Sequence, residues 1–205
     1  MIDGLIKSKI DPLWEAMATP LVRARMTPNQ VTFTGLILVI AVSGLYLWHG
    51  LPLVYGLTLA LSFVFDALDG AVARRRDMRS RRGGYFDAMV DRYQELIVLC
   101  TLGYMHDAWP LALLALTGSV FTSYAKARTA IETPISNDDW PDFFERMERV
   151  IFLCVMLVLA GVFASYGERI VAIGLAIFAA LAHLTALQRA RRATQMLATL
   201  DRDRK

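Results

Sequence analysis

Charge is scarce in this chain of 205 residues. Only 20% are Asp, Glu, Lys or Arg, 56% are apolar, and the mean hydropathy is +0.42. An average soluble domain is about 25% charged and about 45–50% apolar, so one modest core could not hide this much apolar side chain. A small soluble domain is therefore excluded. Cysteine is also scarce: Cys100 and Cys154 each lie inside an apolar run, which excludes a disulfide-stapled scaffold and leaves both as small hydrophobes. Seven prolines and 13 glycines are ordinary counts, so disordered and collagen-like classes fall away too. Residues 1–26 alternate charged with apolar side chains and lack the apolar core of a cleavable signal peptide, so none is expected.

What is present is a series of long apolar windows. About 30 Å of hydrocarbon at 1.5 Å per residue needs about 20 residues. Windows of that size fall at 30–49, 52–73, 84–105, 108–129, 146–166 and 169–190. The expected fold is all-α and integral to a membrane, with six transmembrane helices. Ahead of them, Ile2, Leu5, Ile6, Ile10, Leu13, Trp14, Met17 and Leu21 recur at helical spacing among Lys7, Lys9, Asp11 and Glu15. That pattern predicts an amphipathic helix on the membrane surface, kinked or restarted at Pro12. The expected organisation is a juxtamembrane helix over 1–26, a six-helix domain over 27–192 and a cytoplasmic tail over 193–205. Of the 22 Lys and Arg, all but Arg169 fall on or nearest one side of such a bundle. The positive-inside rule makes that side, with both termini, cytoplasmic in a cell membrane. Trp48 and Trp109 fit an interfacial belt at the other side. The run RRRDMRSRR, which in a soluble protein could be a nucleic-acid patch, here faces lipid or nucleotide phosphates; no nucleic-acid partner is expected.

Two windows are not clean. The second and third carry Asp66, Asp69, Asp87, Asp91, Arg92 and Glu95. Asp66 and Asp69 stand at i and i+3, and Asp87 and Asp91 at i and i+4, so each pair is expected on one helix face. A short connection would fold the two helices back on each other and aim four carboxylates at one point. Carboxylates at membrane depth cost several kcal/mol each unless paired or bound to a cation. An all-oxygen cluster suits a hard dication, Mg²⁺ or Mn²⁺. The plainer alternative, surface salt bridges with Arg74, Arg75, Arg76 and Arg92, fits poorly with the apolar flanks. Gly70 and Ala73 would let a phosphorylated ligand approach the backbone, although close helix packing would also select small residues there. Arg74 offers a charged fork to a phosphate oxygen.

At these residues the chain resembles the CDP-alcohol phosphatidyltransferase family, whose signature is D-x2-D-G-x2-A-R-x8-G-x3-D-x3-D. Asp66, Asp69, Gly70, Ala73, Arg74, Gly83, Asp87 and Asp91 fill every fixed position. The resemblance implies a membrane enzyme that moves a phosphatidyl group from a CDP-linked lipid to an alcohol and releases CMP. It implies two divalent metals per site on Asp66, Asp69, Asp87 and Asp91, with Asp91 as general base. It also implies nucleotide contacts at Gly70, Ala73, Arg74, Ser80 and Gly83, a cytidine pocket lined by Asn29, Gln30, Val31 and Thr32, and a homodimer. Thr27 or Asn29 could equally cap a helix at that point.

A second set of elements bears on the acceptor. Ser123 to Arg128 (SYAKAR), Glu145 to Arg149 (ERMER) and Gln188 to Arg192 (QRARR) all fall on the cytoplasmic side. Together they would suit an acceptor that already carries a phosphate. The SYxKAR and ERxER elements resemble the branch that makes phosphatidylinositol phosphate or archaetidylinositol phosphate. That likeness implies Lys126, Arg146 and Arg189 as ligands of the acceptor phosphate and inositol phosphate as the acceptor. Glycerol 3-phosphate is the nearest competitor, because it carries the same charge; serine would leave the basic pocket without an anion. The acidic segment IETPISNDDWPDFFER departs from the pattern, and its Asp138, Asp139 and Asp142 could screen the pocket. A cation transporter, the reading from another class, would spread its carboxylates at midplane over several helices. His183, alone in the sixth window, reads as an interhelical hydrogen-bonding group.

Overall fold

The computed structural model describes residues 13–135, 140 and 142–203, and the regular structure among them is entirely helical. Residues 13–17 form a helical turn, followed by α1 (Thr19–Arg23), α2 (Pro28–His49), α3 (Pro52–Asp66), α4 (Leu68–Arg75), α5 (Arg81–Met105), α6 (Trp109–Glu132), α7 (Arg146–Val162) and α8 (Gly167–Asp203). Among the described residues, three stretches are long and apolar enough to cross a membrane: Pro28–His49, Pro52–Arg75 and Ala164–Arg202. Helices α5, α6 and α7 occupy the other three windows. The second window divides into α3 and α4 at Ala67. The sixth runs on as one helix to Asp203, so most of the expected tail is helical. Of the expected surface helix, residues 1–12 including Pro12 lie outside the described residues, as do Asp138 and Asp139.

Local chemistry sets the helix ends. Thr27 caps α2 in a full capping box: its Oγ1 accepts from the Gln30 N–H and the Gln30 side chain accepts from the Thr27 N–H at 2.8 Å. Pro28 and Pro52 fall in the first turn of their helices, where no intrahelical N–H is lost. Ser80 caps α5 through Gly83 N–H at 3.0 Å. Helix α5 ends with Asp107 in the left-handed region, φ 46°, and Ala108 N–H reaching back to the Gly103 carbonyl.

Helix α6 packs along α8, α7 packs against α3 and α8, and α2 lies against α3 and α5. Tyr55, Leu59, Leu99, Leu102, Leu157, Leu175 and Phe178 fill the shared core. Small residues let the backbones approach, as in membrane bundles generally. A Cβ at Gly56 would lie 2.9 Å from Leu157 Cβ and 3.0 Å from the Cys154 carbonyl, and one at Gly118 would lie 2.8 Å from Ala182 Cβ. His183 Nε2 hydrogen-bonds the Leu114 carbonyl on α6 at 3.1 Å, the interhelical role expected for it. At the end of α2 away from the aspartates, Tyr46 Oη meets His106 Nε2 at 2.8 Å, and His106 Nδ1 meets Glu168 Oε2 at 2.8 Å. This chain of hydrogen bonds ties three helix ends together.

Candidate active site

The start of α2, the α3–α4 break and the first half of α5 converge at one end of the bundle. Between them lies a cavity of about 490 Å³ whose lining includes Asn29, Thr32, Asp69, Gly70, Ala73, Arg74, Ser80, Gly83 and Asp87. Two elements of the cavity are built by packing and capping. Gly83 is held against its wall: a Cβ there would meet Ser80 Oγ at 3.1 Å and Asn29 Oδ1 at 3.5 Å. Asp69 accepts a hydrogen bond from Thr32 Oγ1 at 2.6 Å, which fixes the carboxylate against the second turn of α2.

Two residues of the expected cytidine segment sit elsewhere. Val31 is fully buried in a small cluster with Ala18, Leu68, Ala71 and Val72, and the Gln30 side chain is turned to the helix cap. Of the segment, Asn29 and Thr32 reach the cavity lining.

Behind Asp69 and Asp87 the site becomes buried. One carboxylate oxygen from each of Asp66, Asp87 and Asp91 lies within 4.8 Å of the others. Asp66 is almost fully buried because Gly35 on α2 comes against it: a Cβ at Gly35 would lie 2.5 Å from Asp66 Oδ1. Asp66 Oδ1 is buried without a hydrogen-bond partner among the described residues. A buried, unpartnered carboxylate oxygen within an all-oxygen set is the donor chemistry that a hard dication satisfies, so these residues fit Mg²⁺ or Mn²⁺.

Arg146, expected as a ligand of the acceptor phosphate, projects from the first turn of α7 into this cluster. Its Nη2 donates to Asp66 Oδ2 at 2.8 Å and Gln94 Oε1 at 2.7 Å, and lies 2.6 Å from Asp91 Oδ1. One turn deeper, Arg149 Nε donates to Glu95 Oε1 at 2.8 Å, both side chains being almost fully buried. Arg92 Nη1 stands 3.1 Å from Glu95 Oε2 and also donates to Ser123 Oγ, which joins α6 to the network. Glu95, Arg149, Gln94 and Gly35 were not among the expected site residues. Glu95 and Arg149 could have been found as ionisable groups inside apolar windows.

Arg189 is buried some way along α8 and its donors are all directed at protein. Nε donates to Asp142 Oδ2 at 2.8 Å, Nη1 to the Thr122 carbonyl at 2.7 Å and Nη2 to Glu145 Oε1 at 3.2 Å. Arg192 Nη1 donates to the other Asp142 oxygen at 3.2 Å. Lys126 lies in the field of the same group, with Arg189, Glu145 and Asp142 as its charged neighbours. The three expected acceptor ligands are thus divided between the aspartate cluster and an acid-paired cluster, and Asp142 does sit on the basic side chains as the acidic segment suggested.

Comparison with known proteins bears on this geometry. The family model for CDP-alcohol phosphatidyltransferase matches residues 25–185. Archaetidylinositol phosphate synthase of Pyrococcus horikoshii is 32% identical over 195 residues, covering 94% of this chain and 96% of the relative. The bifunctional IPC transferase and DIPP synthase of Thermococcus kodakarensis is 35% identical over 130 residues, which is 62% of this chain but only 30% of that longer protein. Among solved structures, phosphatidylinositol phosphate synthase of Mycobacterium tuberculosis with CDP-DAG bound superposes with a TM-score of 0.76 at 26% identity, covering 89% of this chain and 94% of that one. A second crystal structure of the same mycobacterial enzyme contains manganese and citrate.

Proposed function

Since the chain belongs to the CDP-alcohol phosphatidyltransferase family, we propose that it transfers the lipid phosphate of a CDP-linked lipid to the hydroxyl of inositol phosphate and releases CMP. The observation that carries this reading is the continuity of the site: a nucleotide-sized cavity opens on Asp69 and Asp87, and Asp66 and Asp91 stand behind them. The inositol phosphate acceptor is supported by relatives named for inositol phosphate products.

In this reading the CMP portion lies along Asn29, Gly70, Ala73, Ser80 and Gly83, where small residues allow close approach and Arg74 directs its fork at a phosphate oxygen. Asp66, Asp69, Asp87 and Asp91 would hold Mg²⁺ or Mn²⁺, which supplies charge neutralisation at the diphosphate. The acceptor oxygen forms a bond to the lipid phosphorus as the bond from that phosphorus to the CMP oxygen breaks. Asp91 takes the hydroxyl proton. Arg146, between Asp66 and Asp91, orients both carboxylates and stands where a cationic group can face the acceptor's phosphate, with Lys126 and Arg189 further along α6 and α8. Six membrane spans, a cytoplasmic site and a homodimer complete the proposal. The spans and the side of the site are supported by the helical coverage of all six windows and the one-sided placement of Lys and Arg; the homodimer is carried over from the family resemblance alone.

The test is CMP release by the purified protein with CDP-diacylglycerol, a divalent metal, and inositol phosphate, glycerol 3-phosphate or serine as acceptor. Release is expected with inositol phosphate; none with any acceptor overturns the reading, and release with glycerol 3-phosphate alone overturns the acceptor. Asp91→Asn is expected to lower turnover by about 10²–10⁴-fold while CMP binding persists, and near-normal turnover in that variant removes Asp91 from the base role.

A further inference from the structure

Helix α4 brings Asp69, Gly70, Ala73 and Arg74 to the cavity, yet it is only eight residues long. Isolated helices shorter than about 12–15 residues are marginal even in good helix-forming sequences, so this wall of the site needs support from elsewhere. Its back face, Leu68, Ala71 and Val72, is covered by Trp14, Ala18, Leu21, Val22 and Met26 of the N-terminal segment.

That segment ends in a Schellman turn. Met26 N–H donates to the Leu21 carbonyl at 3.1 Å, Arg25 N–H donates to the Val22 carbonyl at 3.0 Å, and Arg25 takes the left-handed conformation, φ 57°. Two arginines from the end of α4 close over it. Arg75 Nη1 donates to the Glu15 carbonyl at 2.8 Å and to Thr19 Oγ1 at 2.7 Å. Arg76 Nη1 donates to the Arg25 carbonyl at 2.8 Å and the Met26 carbonyl at 2.5 Å. Such carbonyls, left over at a helix C-terminus, favour a cationic donor.

Met26 is followed directly by Thr27, Pro28 and Asn29, which begin the opposite wall of the same cavity. Arg76 therefore joins the two walls from behind. Arg75 holds the segment that covers α4, and Glu15 Oε1 stands 3.8 Å from Arg74 Nε on the cavity side. None of Glu15, Thr19, Arg75 and Arg76 lines the cavity.

We infer that residues 13–26, clamped by Arg75 and Arg76, are a positioning part of the nucleotide site: they set the distance between the 27–32 wall and α4, and Glu15 sets the direction of Arg74. The ligand they serve is the cytidine nucleotide headgroup of the lipid donor, so the inference rests on the transferase reading above. A clamp behind the wall acts on binding. Asp66 and Asp91 are tied separately, to Gly35 and Arg146; Asp69 is carried on α4 but is also held directly by Thr32 Oγ1 at 2.6 Å, so the clamp acts mainly on nucleotide binding and only secondarily on the chemical step.

The full chain is tested with Arg76→Gln, Arg75→Gln and Thr19→Val, with CMP plus Mg²⁺ titrated calorimetrically and CMP release followed against CDP-diacylglycerol. Loss of charge-assisted hydrogen bonds of this kind is expected to weaken CMP binding and raise KM by about three- to tenfold, with kcat within about twofold of wild type. Arg76→Lys, which keeps a cationic donor, is expected to recover most of the lost affinity, and a merely structural defect would give no such split and no such rescue. Should an arginine variant misfold, Thr19→Val carries the same measurement with the guanidinium retained. Unchanged CMP affinity and KM across the folded variants overturns the clamp, as does a fall in kcat at constant KM. Wild-type protein that binds no CMP overturns the transferase reading instead, so the two failures are separable.

Discussion

Gly35→Ala is the smallest change that should separate stability from chemistry in this protein. A Cβ at position 35 would lie 2.5 Å from Asp66 Oδ1, 2.9 Å from Asp66 Cβ and 3.0 Å from Asp66 Cγ. Non-bonded carbons rest at about 3.5–4.0 Å. A rotation of the carboxylate cannot relieve the contact with Asp66 Cβ, so α2 and α3 must separate by roughly 0.5–1 Å. Overpacking of that kind costs about 1–3 kcal/mol, while replacing a mid-helix glycine by alanine returns about 1 kcal/mol of helix propensity. The net loss of stability is therefore about 0–2 kcal/mol, a few degrees in a melt. The effect on turnover should be much larger, because a reacting group displaced by about 1 Å can cost about 10²-fold. Gly44 on the same helix is the matched control: a Cβ there meets nothing within 4 Å, so Gly44→Ala should gain stability and keep full activity. The assay is CMP release alongside thermal unfolding in the same detergent. Wild-type turnover in Gly35→Ala would refute the claim that the approach of α2 fixes Asp66.

Two further substitutions test other parts of the structure. Glu95→Ala leaves Arg149 and Arg92 without their shared carboxylate in a buried setting, and breaking a buried pair costs about 3–5 kcal/mol; the unfolding midpoint should fall sharply, and an unchanged midpoint would show that the network is not holding α5 to α7. Arg25→Gly keeps the backbone carbonyl that Arg76 binds and removes the cost of a left-handed side-chain-bearing residue. It should stabilise the protein by about 1 kcal/mol, and a lower melting temperature would show that the Arg25 side chain itself supports the turn.

Much of the helical layout was legible because apolar windows and helix-end signals are local. Thr27, Pro28 and Gln30 spell out a capping box, and the six windows match the positions of α2 to α8 within a few residues, α3 and α4 together making the second, except that α8 continues past the sixth window to Asp203. The eight signature residues were legible for a different reason, since spacing alone brings them to one connection. Less legible was the interruption at Ala67. In an unbroken helix Asp66 and Asp69 would share one face, but here Asp66 turns to Gly35 and Arg146 while Asp69 turns to Thr32 and the cavity. Gly35 itself was invisible: in sequence it is a small residue in an apolar run, like Gly44, and only the approach of α3 distinguishes them.

The pairing of the basic clusters was not legible, for a physical reason that extends beyond this chain. A run of Lys and Arg on one side of a membrane reads from sequence as unpaired positive charge, because the partners of the buried arginines lie far away along the chain. Arg146 is paired across 80 residues with Asp66 and Arg189 across 47 with Asp142. An unpaired guanidinium in so buried a setting would be costly, so burial selects pairing, and the acids that supply it are the ones that a linear reading assigns to metal or to solvent. In the proposed reading, the positive charge left to face an acceptor phosphate is accordingly smaller than the count of basic residues suggests. Asp142, which holds both Arg189 and Arg192, then becomes the residue whose removal should change acceptor affinity most. Asp142→Asn frees part of two guanidinium groups and should lower the KM for a phosphorylated acceptor with little change for the CDP-lipid; a raised acceptor KM would mean that the carboxylate orients Arg189 rather than competing for it.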